Sequence, residues 1–402
     1  MKNIAIINTS LNLSLSTCKL SVGLQVYLLQ QGYNALYCYG RGLHNDTDRL
    51  YRIDKPWQVK LHAFLCRLTG YQGVFSVLPT WRLIRKLKRR HIDTIYAGTL
   101  HGYYLNEPML LKYIAKSGIS LVYMLFDEYP FLGRCCYSKE CTNYLKGCGN
   151  CPNLKDYPKT LFFDRSRIAY RWKEKYYNKI DKIAFVAPKF VYTNSLKSPL
   201  TRLVKPYAVD FGIDLNKYCP KETIGLRKKL GISDEKIIIV CIAPSAYPEK
   251  GTIYFKKLAE RFVSKIKYAF VHVGYTDNDK ESLPPNYIPI GYVYDQNELT
   301  EYYSLGDLFV FPSLVDAMPN TCIESLACGS PLLLFNTSGM PYLADDTVAY
   351  YVEPKNVDQM EAVVKGVKKK DEARIRECRD YACKRYDKQK YFETLRRIGE
   401  EM

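Results

Sequence analysis

Two acids and a lysine in the second half of the chain have the types and spacing to hold a sugar diphosphate. Asp316 and Glu324 lie eight positions apart within FPSLVDAMPNTCIESLACGSP, Phe311–Pro331. The run DLFVFP reads as a strand, and Asp316 falls in the loop after it. A helix is expected to start near Asn320, with Glu324 in its first turn and Gly329 and Pro331 as its stop. The loop amides and that helix start, at Asn320 and Thr321, make a natural anion site. A diphosphate there would leave both carboxylates free to accept hydrogen bonds from sugar hydroxyls. The spacing also allows a second reading, because Thr321-Cys-Ile-Glu324 fits a capping box in which Glu324 only closes its own helix. Lys250, in Pro248-Glu249-Lys250-Gly251, follows the apolar run KIIIVCIAP. A lysine in such a strand-to-helix loop is chemically suited to a phosphate.

A second constellation is CCYSKECTNYLKGCGNC, where five of the chain's 14 cysteines fall within 17 residues. The spacing is Cys135-x5-Cys141-x6-Cys148-x2-Cys151, with Cys136 extra. Only Cys148-x2-Cys151 has the pairing usual in zinc sites. Three outcomes stay open: a structural zinc on Cys135, Cys141, Cys148 and Cys151, one or two disulfides, or unligated packed thiols.

These residues need elements to position them. NIAIIN, LSVGLQVYLLQQG, NALYCYG, DTIYAG and SLVYMLF alternate strand-like and helical patterns, a βαβ rhythm that implies a parallel sheet flanked by helices. Pro130 to Asp164 shows no period and reads as a long ordered excursion. A second series begins past residue 205 with KIIIVCIAP, KYAFVHVG, YIPIGYV, DLFVFPS and SPLLLFN as strands. The expected fold is α/β: two doubly wound Rossmann-like domains facing each other across a cleft. The expected bounds are 1–205, carrying the excursion 130–164, then 206–385, then a C-terminal helix 386–402 packing back toward the first domain. Ligands are expected beyond the carboxyl ends of the strands.

Length and composition agree with two globular domains: 402 residues, 47% hydrophobic, with no fixed-period repeat. No run approaches 18 apolar residues, so no membrane-spanning helix is expected. MKNIAIINTS reads as a first strand and not as a signal peptide. The expected location is the cytoplasm, where most thiols stay reduced. A net charge of +18 favours an anionic partner. WRLIRKLKRRH, Trp81–His91, carries six Lys/Arg in 11 residues, with Trp81, Ile84 and Leu87 on one helical face. It is either an ordinary surface helix or a basic helix on an anionic membrane. The bases are otherwise spread over the chain and no nucleic-acid motif appears, so no nucleic-acid partner is expected. His44, His62, His91 and His272 have no partner pattern and read as structural or exposed.

The stretch Asp316-x7-Glu324, followed by ESLACGSP, resembles the donor-site signature of family 4 retaining glycosyltransferases, E-x7-E with E-A-x-A-x-G-x-P. The GT-B fold goes with that family. Pro248–Gly251 is similar to its E-K-G, and Gly212-Ile-Asp-Leu215 to its hinge. The first half resembles the colanic-acid and capsular polysaccharide branch. The pieces are Ser16-Thr17-Cys18-Lys19, Tyr39-Gly40-Arg41, His101-Gly-Tyr-Tyr-Leu-Asn106, Asp127-Glu-Tyr-Pro-Phe131, Gly147–Pro152 and Leu161–Arg165. The four cysteines match the branch pattern, while Cys136 falls where other residues occur. The resemblance implies that Glu324 holds the donor's ribose, Asp316 contacts the transferred sugar and Lys250 grips the diphosphate. It places Lys19, His101 and Asp127 on the acceptor side. It implies transfer from a nucleotide-diphosphate sugar to a saccharide or lipid-linked acceptor, with retention and without a metal or other cofactor. An anionic membrane surface would suit a lipid-linked acceptor.

Several positions depart from the pattern. Cys18 stands where a glycine is usual, and a Cβ there would crowd a ligand close to the backbone. Phe126 stands in the position of a reaction-centre histidine. Phe211 replaces a hinge asparagine, Ser245 an arginine, and Tyr342 an acid. Two readings follow: an active transferase of altered substrate preference, or a degenerate paralogue that binds a partner or nucleotide without turnover.

Overall fold

Uninterrupted apolar strands separated by helices build two all-parallel sheets. The computed structural model describes residues 2–12, 15–42, 46–276 and 283–402; His44 lies outside them. The chain divides into two units, Met1–Asp210 with Gln389–Met402, and Phe211–Lys388. The crossings therefore fall at 210/211 and 388/389, against the expected 205/206 and 385/386.

In the first unit the strands are β1 (Asn3–Ser10), β2 (Asn34–Arg41), β3 (Leu50–Arg52), β4 (Thr94–Ala97), β5 (Ser120–Met124), β6 (Ile183–Ala187) and β7 (Lys205–Ala208). The helices are α1 (Ser16–Gln30), α2 (Pro56–Thr69), α3 (Val77–Arg89), α4 (Glu107–Ser117), α5 (Ser166–Tyr177) and α6 (Lys189–Ser195). The sheet order is β3-β2-β1-β4-β5-β6-β7. Every residue of β4, β5 and β6 is buried, as parallel strands covered on both faces require. In the second unit the elements are α7 (Ile224–Lys229), β8 (Ile237–Ile242), α8 (Thr252–Glu260), β9 (Tyr268–Val273), β10 (Tyr287–Ile290), α9 (Gln296–Leu305), β11 (Leu308–Phe311), α10 (Asn320–Ala327), β12 (Leu332–Phe335), β13 (Ala349–Val352), α11 (Val357–Gly366) and α12 (Glu372–Arg385). The sheet order there is β10-β9-β8-β11-β12-β13. A last helix, α13 (Lys388–Glu401), buries Phe392, Leu395 and Ile398. It packs on the first unit: the Tyr96 hydroxyl donates to the Leu395 carbonyl at 3.1 Å, and Phe392 lies 5.8 Å from the Tyr27 ring.

Strand order reverses between β1 and β4 in the first unit and between β8 and β11 in the second. The carboxyl ends of those neighbours splay their loops apart and leave a place for a ligand.

The basic run Trp81–His91 falls largely on α3, but its buried stripe differs from the expected one. Thr80, Leu83, Ile84 and Leu87 are buried, while Trp81 is 44% exposed with the Arg85 guanidinium 4.7 Å above its ring. A stripe spaced three and four apart runs through Leu83 and Leu87 and leaves Trp81 outside it.

Between β5 and α5 the described chain has no α-helix or strand, only 3-10 turns at Tyr129–Phe131 and Asn143–Lys146. Buried polar groups pin this excursion. Lys173 of α5 donates its ammonium to the carbonyls of Tyr129 (2.6 Å) and Leu132 (2.9 Å) and lies 3.5 Å from the centre of the Tyr129 ring. Glu128 accepts from Ser138 Oγ at 2.7 Å and from Asn194 Nδ2 at 2.7 Å. Burial lowers the Lys173 ammonium from 10.5 to about 8, with Glu107 pulling the other way. Lys173→Met should cost about 3 kcal/mol in chemical denaturation, because buried carbonyls lose a charged donor. The pH dependence has a definite sign. Between about 8 and 10.5 the unfolded chain holds the proton that the folded chain has released, so stability rises with pH. The advantage of wild type over Lys173→Met should therefore widen across that window; a constant gap would refute the assignment.

Candidate functional site

The loops leaving β8 and β11 are sewn together by backbone. The Leu314 amide donates to the Glu249 carbonyl at 2.8 Å, and Ser313 Oγ donates to the same carbonyl at 3.2 Å. Gly251 sits between them at φ +68°, where a Cβ would come within 1.8 Å of the Pro312 carbonyl oxygen. Glycine is thus required both by the left-handed turn and by the close approach. The turn delivers Lys250, whose Nζ lies 2.7 Å from Asp316 Oδ2. Both side chains keep some exposure, 27% and 17%. Asp316 Oδ1 in turn accepts from the Met318 amide at 3.3 Å, and the Asp316 carbonyl accepts from the Gly339 amide at 2.9 Å.

Helix α10 begins at Asn320, preceded by Pro319 as its N-cap, with no side-chain cap bond. This removes the capping-box reading, since Thr321 lies inside the helix. Glu324 is its fifth residue, beyond the first turn where it was expected. Its carboxylate is buried and accepts from the Tyr303 hydroxyl of α9 at 2.6 Å. Burial and the Glu324 charge push the Tyr303 phenol well up, so it stays a donor. Thr321 Oγ1 is buried without a hydrogen-bond partner among the described residues. The second unit thus brings Lys250 and Asp316 into contact. Asn320, Thr321 and Glu324 stand on the helix that starts four residues after Asp316. Tyr303 carried no sequence signal, because its only mark is a position one helix away from the acid it holds.

In the first unit the loop after β4 carries His101 and the one after β5 carries Asp127. Asn8 and Thr9 at the end of β1 hold the first of these. Asn8 Oδ1 accepts from the Thr99 amide at 3.2 Å, and Thr9 Oγ1 donates to the Thr99 carbonyl at 2.9 Å. His101 Nε2 lies 2.6 Å from Asp127 Oδ2, and Cys136 Sγ lies 3.6 Å from the same nitrogen. Burial alone would lower the imidazole, but the neighbouring Cys136 and Asp127 outweigh it and hold it well above its ordinary value. Below this cluster the Tyr129 hydroxyl donates to Glu107 Oε2 at 2.7 Å, and burial raises that carboxyl. Lys19 sits half-buried in the first turn of α1 and takes no part in the His101 hydrogen bonds. Cys18 is buried within α1. Glu107 and Cys136 were not among the sequence-level candidates; Cys136 looked like the odd member of its cluster.

Cys135, Cys141, Cys148 and Cys151 line one small cavity, where Cys135 and Cys151 stand 4.0 Å apart, sulfur to sulfur. No disulfide forms; all described cysteines are free thiols. Among the described residues the only group of three or more metal-type ligand atoms within 4.8 Å of one another is His101, Asp127 and Cys136. His62 is buried with Nδ1 2.7 Å from Ser76 Oγ, and burial lowers it to about 4. His272 is buried between the Tyr287 hydroxyl (2.6 Å) and the Ala243 carbonyl (2.8 Å), and His91 is exposed.

Two doubly wound parallel units, each with polar side chains at its strand reversal, are the architecture of GT-B glycosyltransferases, and the chain has that fold. Sucrose-phosphate synthase from Thermosynechococcus elongatus superposes with a TM-score of 0.69 at 12% identity, over 100% of this chain and 99% of that one. Residues 223–385 match the family described as glycosyl transferases group 1, and this segment contains Lys250, Asp316 and Glu324. The alpha-galactosylglucosyldiacylglycerol synthase of Streptococcus pneumoniae is 29% identical over 180 residues, 42% of this chain and 47% of that protein. WcaC of Escherichia coli, named for glycosyl transfer in colanic acid biosynthesis, is 22% identical over 331 residues, 76% of each chain. The chain thus spans about half the length of the first relative and three quarters of the second.

The buried contact to Glu324 can be tested directly. Tyr303→Phe should cost about 1–3 kcal/mol in urea denaturation, since a buried carboxylate loses a donor. Combining it with Glu324→Leu should recover part of that loss. Strictly additive costs would mean the pair does not interact.

Proposed function

We propose that the protein transfers a sugar from a nucleotide-diphosphate donor to a saccharide or lipid-linked acceptor, in the assembly of a surface polysaccharide or glycolipid. The observation that carries this reading is the Lys250–Asp316 ion pair beside the start of α10, inside the segment that matches the group 1 family. In this reading the diphosphate sits against Lys250 and the first amides of α10. Lys250, held by Asp316 in the free protein, turns its charge to the departing diphosphate. Asp316 is then released to accept from the sugar's hydroxyls, and Glu324, aimed by Tyr303, takes the ribose. Charge develops on the leaving diphosphate, and positive groups already turned to it in the bound complex lower that barrier. No side-chain nucleophile and no metal at the diphosphate are needed, and we assign retention at the anomeric carbon. We assign the acceptor side to Lys19, His101 and Asp127 of the first unit.

The relatives' names support this reading at the level of class: one is a glycolipid synthase and the other a polysaccharide transferase. The test is a panel of nucleotide sugars with purified full chain, reading nucleoside diphosphate release and melting temperature. At least one donor should raise the melting temperature and be turned over, and Lys250→Ala should lower turnover about 100-fold or more. A panel in which no donor binds or reacts would overturn the reading.

We also propose that the first unit docks on an anionic membrane, by α2 and not by the basic helix singled out in the sequence. On α2 the exposed residues Trp57, Leu61, Phe64 and Leu68 recur at four, three and four. Such a stripe is usually turned toward a core, and here it is bare. Exposed Leu161, Phe162 and Phe163 extend it, because the Leu161 amide donates to the Arg67 carbonyl at the end of α2. Lys60 and Arg67 on α2, and Lys159 two residues before Leu161, are exposed in the same segments. Exposed apolar side chains interspersed with lysine and arginine match the interface of an anionic bilayer. A structural zinc on Cys135, Cys141, Cys148 and Cys151 would brace the excursion; the four thiols line one cavity. Vesicles containing phosphatidylglycerol should pull down the wild type, and Trp57→Ser with Phe64→Ser should weaken partitioning at least about tenfold. Equal partitioning of that double variant would remove α2 from the membrane.

A further inference from the structure

The first unit also carries a constellation in which a thiol joins His101 and Asp127, the pair assigned above to the acceptor side. His101 Nε2, Asp127 Oδ2 and Cys136 Sγ come from the β4 loop, the β5 loop and the cysteine-rich excursion, and all three atoms lie within 4.8 Å of one another. We propose that these three side chains form a divalent transition-metal site, suited to zinc, with a fourth position open to water or another oxygen.

Four observations support it, and none depends on the transferase reading. The donor set is the first. An imidazole, a carboxylate and a thiolate are the side chains that bind zinc, and the last two balance two positive charges in a poorly solvated place. Distance is the second. Sulfur and nitrogen on one tetrahedral zinc would stand about 3.6 Å apart; Cys136 Sγ stands 3.6 Å from His101 Nε2 and 4.0 Å from Nδ1, beside the ring, so the thiol must swing toward the Nε2 lone pair to share an ion with it. The 2.6 Å between Nε2 and Asp127 Oδ2 is a hydrogen bond and must open to about 3.3 Å, a small swing of one carboxylate.

The surrounding contacts are the third. Metal-bound imidazoles and carboxylates are usually aimed by partners on their remaining polar atoms. Asp127 Oδ1 accepts from the Tyr129 amide at 3.0 Å, which leaves Oδ2 for the ion. The Tyr157 hydroxyl stands 3.5 Å from His101 Nδ1, on the far side of the ring from Nε2. The Cys136 carbonyl accepts from the Glu128 amide at 2.9 Å, which fixes the backbone that carries the thiol. Access is the fourth. The side chains of His101 and Asp127 are 11% and 16% exposed, so the cluster is sheltered but not sealed. That exposure is the route by which an ion and a water would reach it.

The exchange balances. The count starts from an imidazole and a carboxylate sharing one proton beside a neutral thiol. As the cation enters, both protons leave to solvent, Nε2 and Oδ2 each offer a lone pair, and the thiol becomes a thiolate. The net charge of the cluster does not change. This site is separate from the cavity of Cys135, Cys141, Cys148 and Cys151, although Cys135 and Cys136 are neighbours in the chain.

The experiment uses full-length protein stripped with a chelator, then titrated with zinc chloride or cobalt chloride. Wild type is compared with Cys136→Ser, Asp127→Asn and His101→Gln. Any metal held by the other four cysteines is common to all four proteins and cancels in the difference. Wild type should bind one equivalent more than each variant, or bind it at least about tenfold more tightly. Cobalt should give wild type a thiolate charge-transfer band that weakens in Cys136→Ser. Zinc should also slow alkylation of Cys136 in wild type, read by peptide mapping; this needs no variant to fold. Equal metal content in wild type and Cys136→Ser, with Cys136 alkylated equally fast with and without zinc, overturns the proposal.

Discussion

The backbone bridge between the β8 and β11 loops is the constraint on which the second unit's chemistry depends. These strands are neighbours in the sheet but far apart in the chain, so their loops would diverge if nothing tied them. Two donors meeting at the Glu249 carbonyl, and a glycine whose Cβ would strike the Pro312 oxygen, prevent that. The price of the contact is a left-handed turn that only glycine takes freely. Its consequence is that Lys250 reaches Asp316 from a loop 66 residues away. Without the bridge, a lysine and an aspartate on two surface loops would be two solvated charges of little mutual energy.

The parts of this arrangement that are local were legible in the sequence. The parallel sheets follow from apolar runs such as Ile237–Ile242, and α10 follows from a strand, a loop and a helix start in one 21-residue stretch. The spacing of Asp316 and Glu324 is plain in the sequence, but it does not reveal the Tyr303 hydroxyl from which the Glu324 carboxylate accepts. A capping box and a buried acceptor have the same four letters; what separates them is Pro319 in the N-cap place and Tyr303 on another helix. Contacts made across elements leave no period and no motif. Lys173 under the excursion is the same case: nothing in RWKEKYY distinguishes an ammonium bound to buried carbonyls from the solvated lysines beside it.

The basic helix teaches a related point about patterning. Six positive charges made Trp81–His91 conspicuous, yet α3 spends its apolar stripe on the protein interior, as an amphipathic helix on a sheet does. Helix α2 buries Val59 and Cys66 but also exposes a second apolar stripe along its length, Trp57, Leu61, Phe64 and Leu68, whereas α3 exposes Val77, Leu78 and Trp81 only in its first turns. Period alone reports that a stripe exists. Which way it faces depends on what packs above it, and that is a property of the fold.

The two strand reversals carry different chemistry for a physical reason. In the second unit a cation and an acid are paired four residues before a helix start. In the first, the ring of His101 from the β4 loop pairs with Asp127 from the β5 loop, one residue past Phe126. A buried imidazole and carboxylate that shared only a proton would be adequately satisfied. A thiol at 3.6 Å adds no hydrogen bond that the pair needs, and burial raises its own pKa. The thiol instead brings a third donor atom within 4.8 Å of the other two, which a pair satisfied by one shared proton does not need and a cation with more than two coordination sites would use.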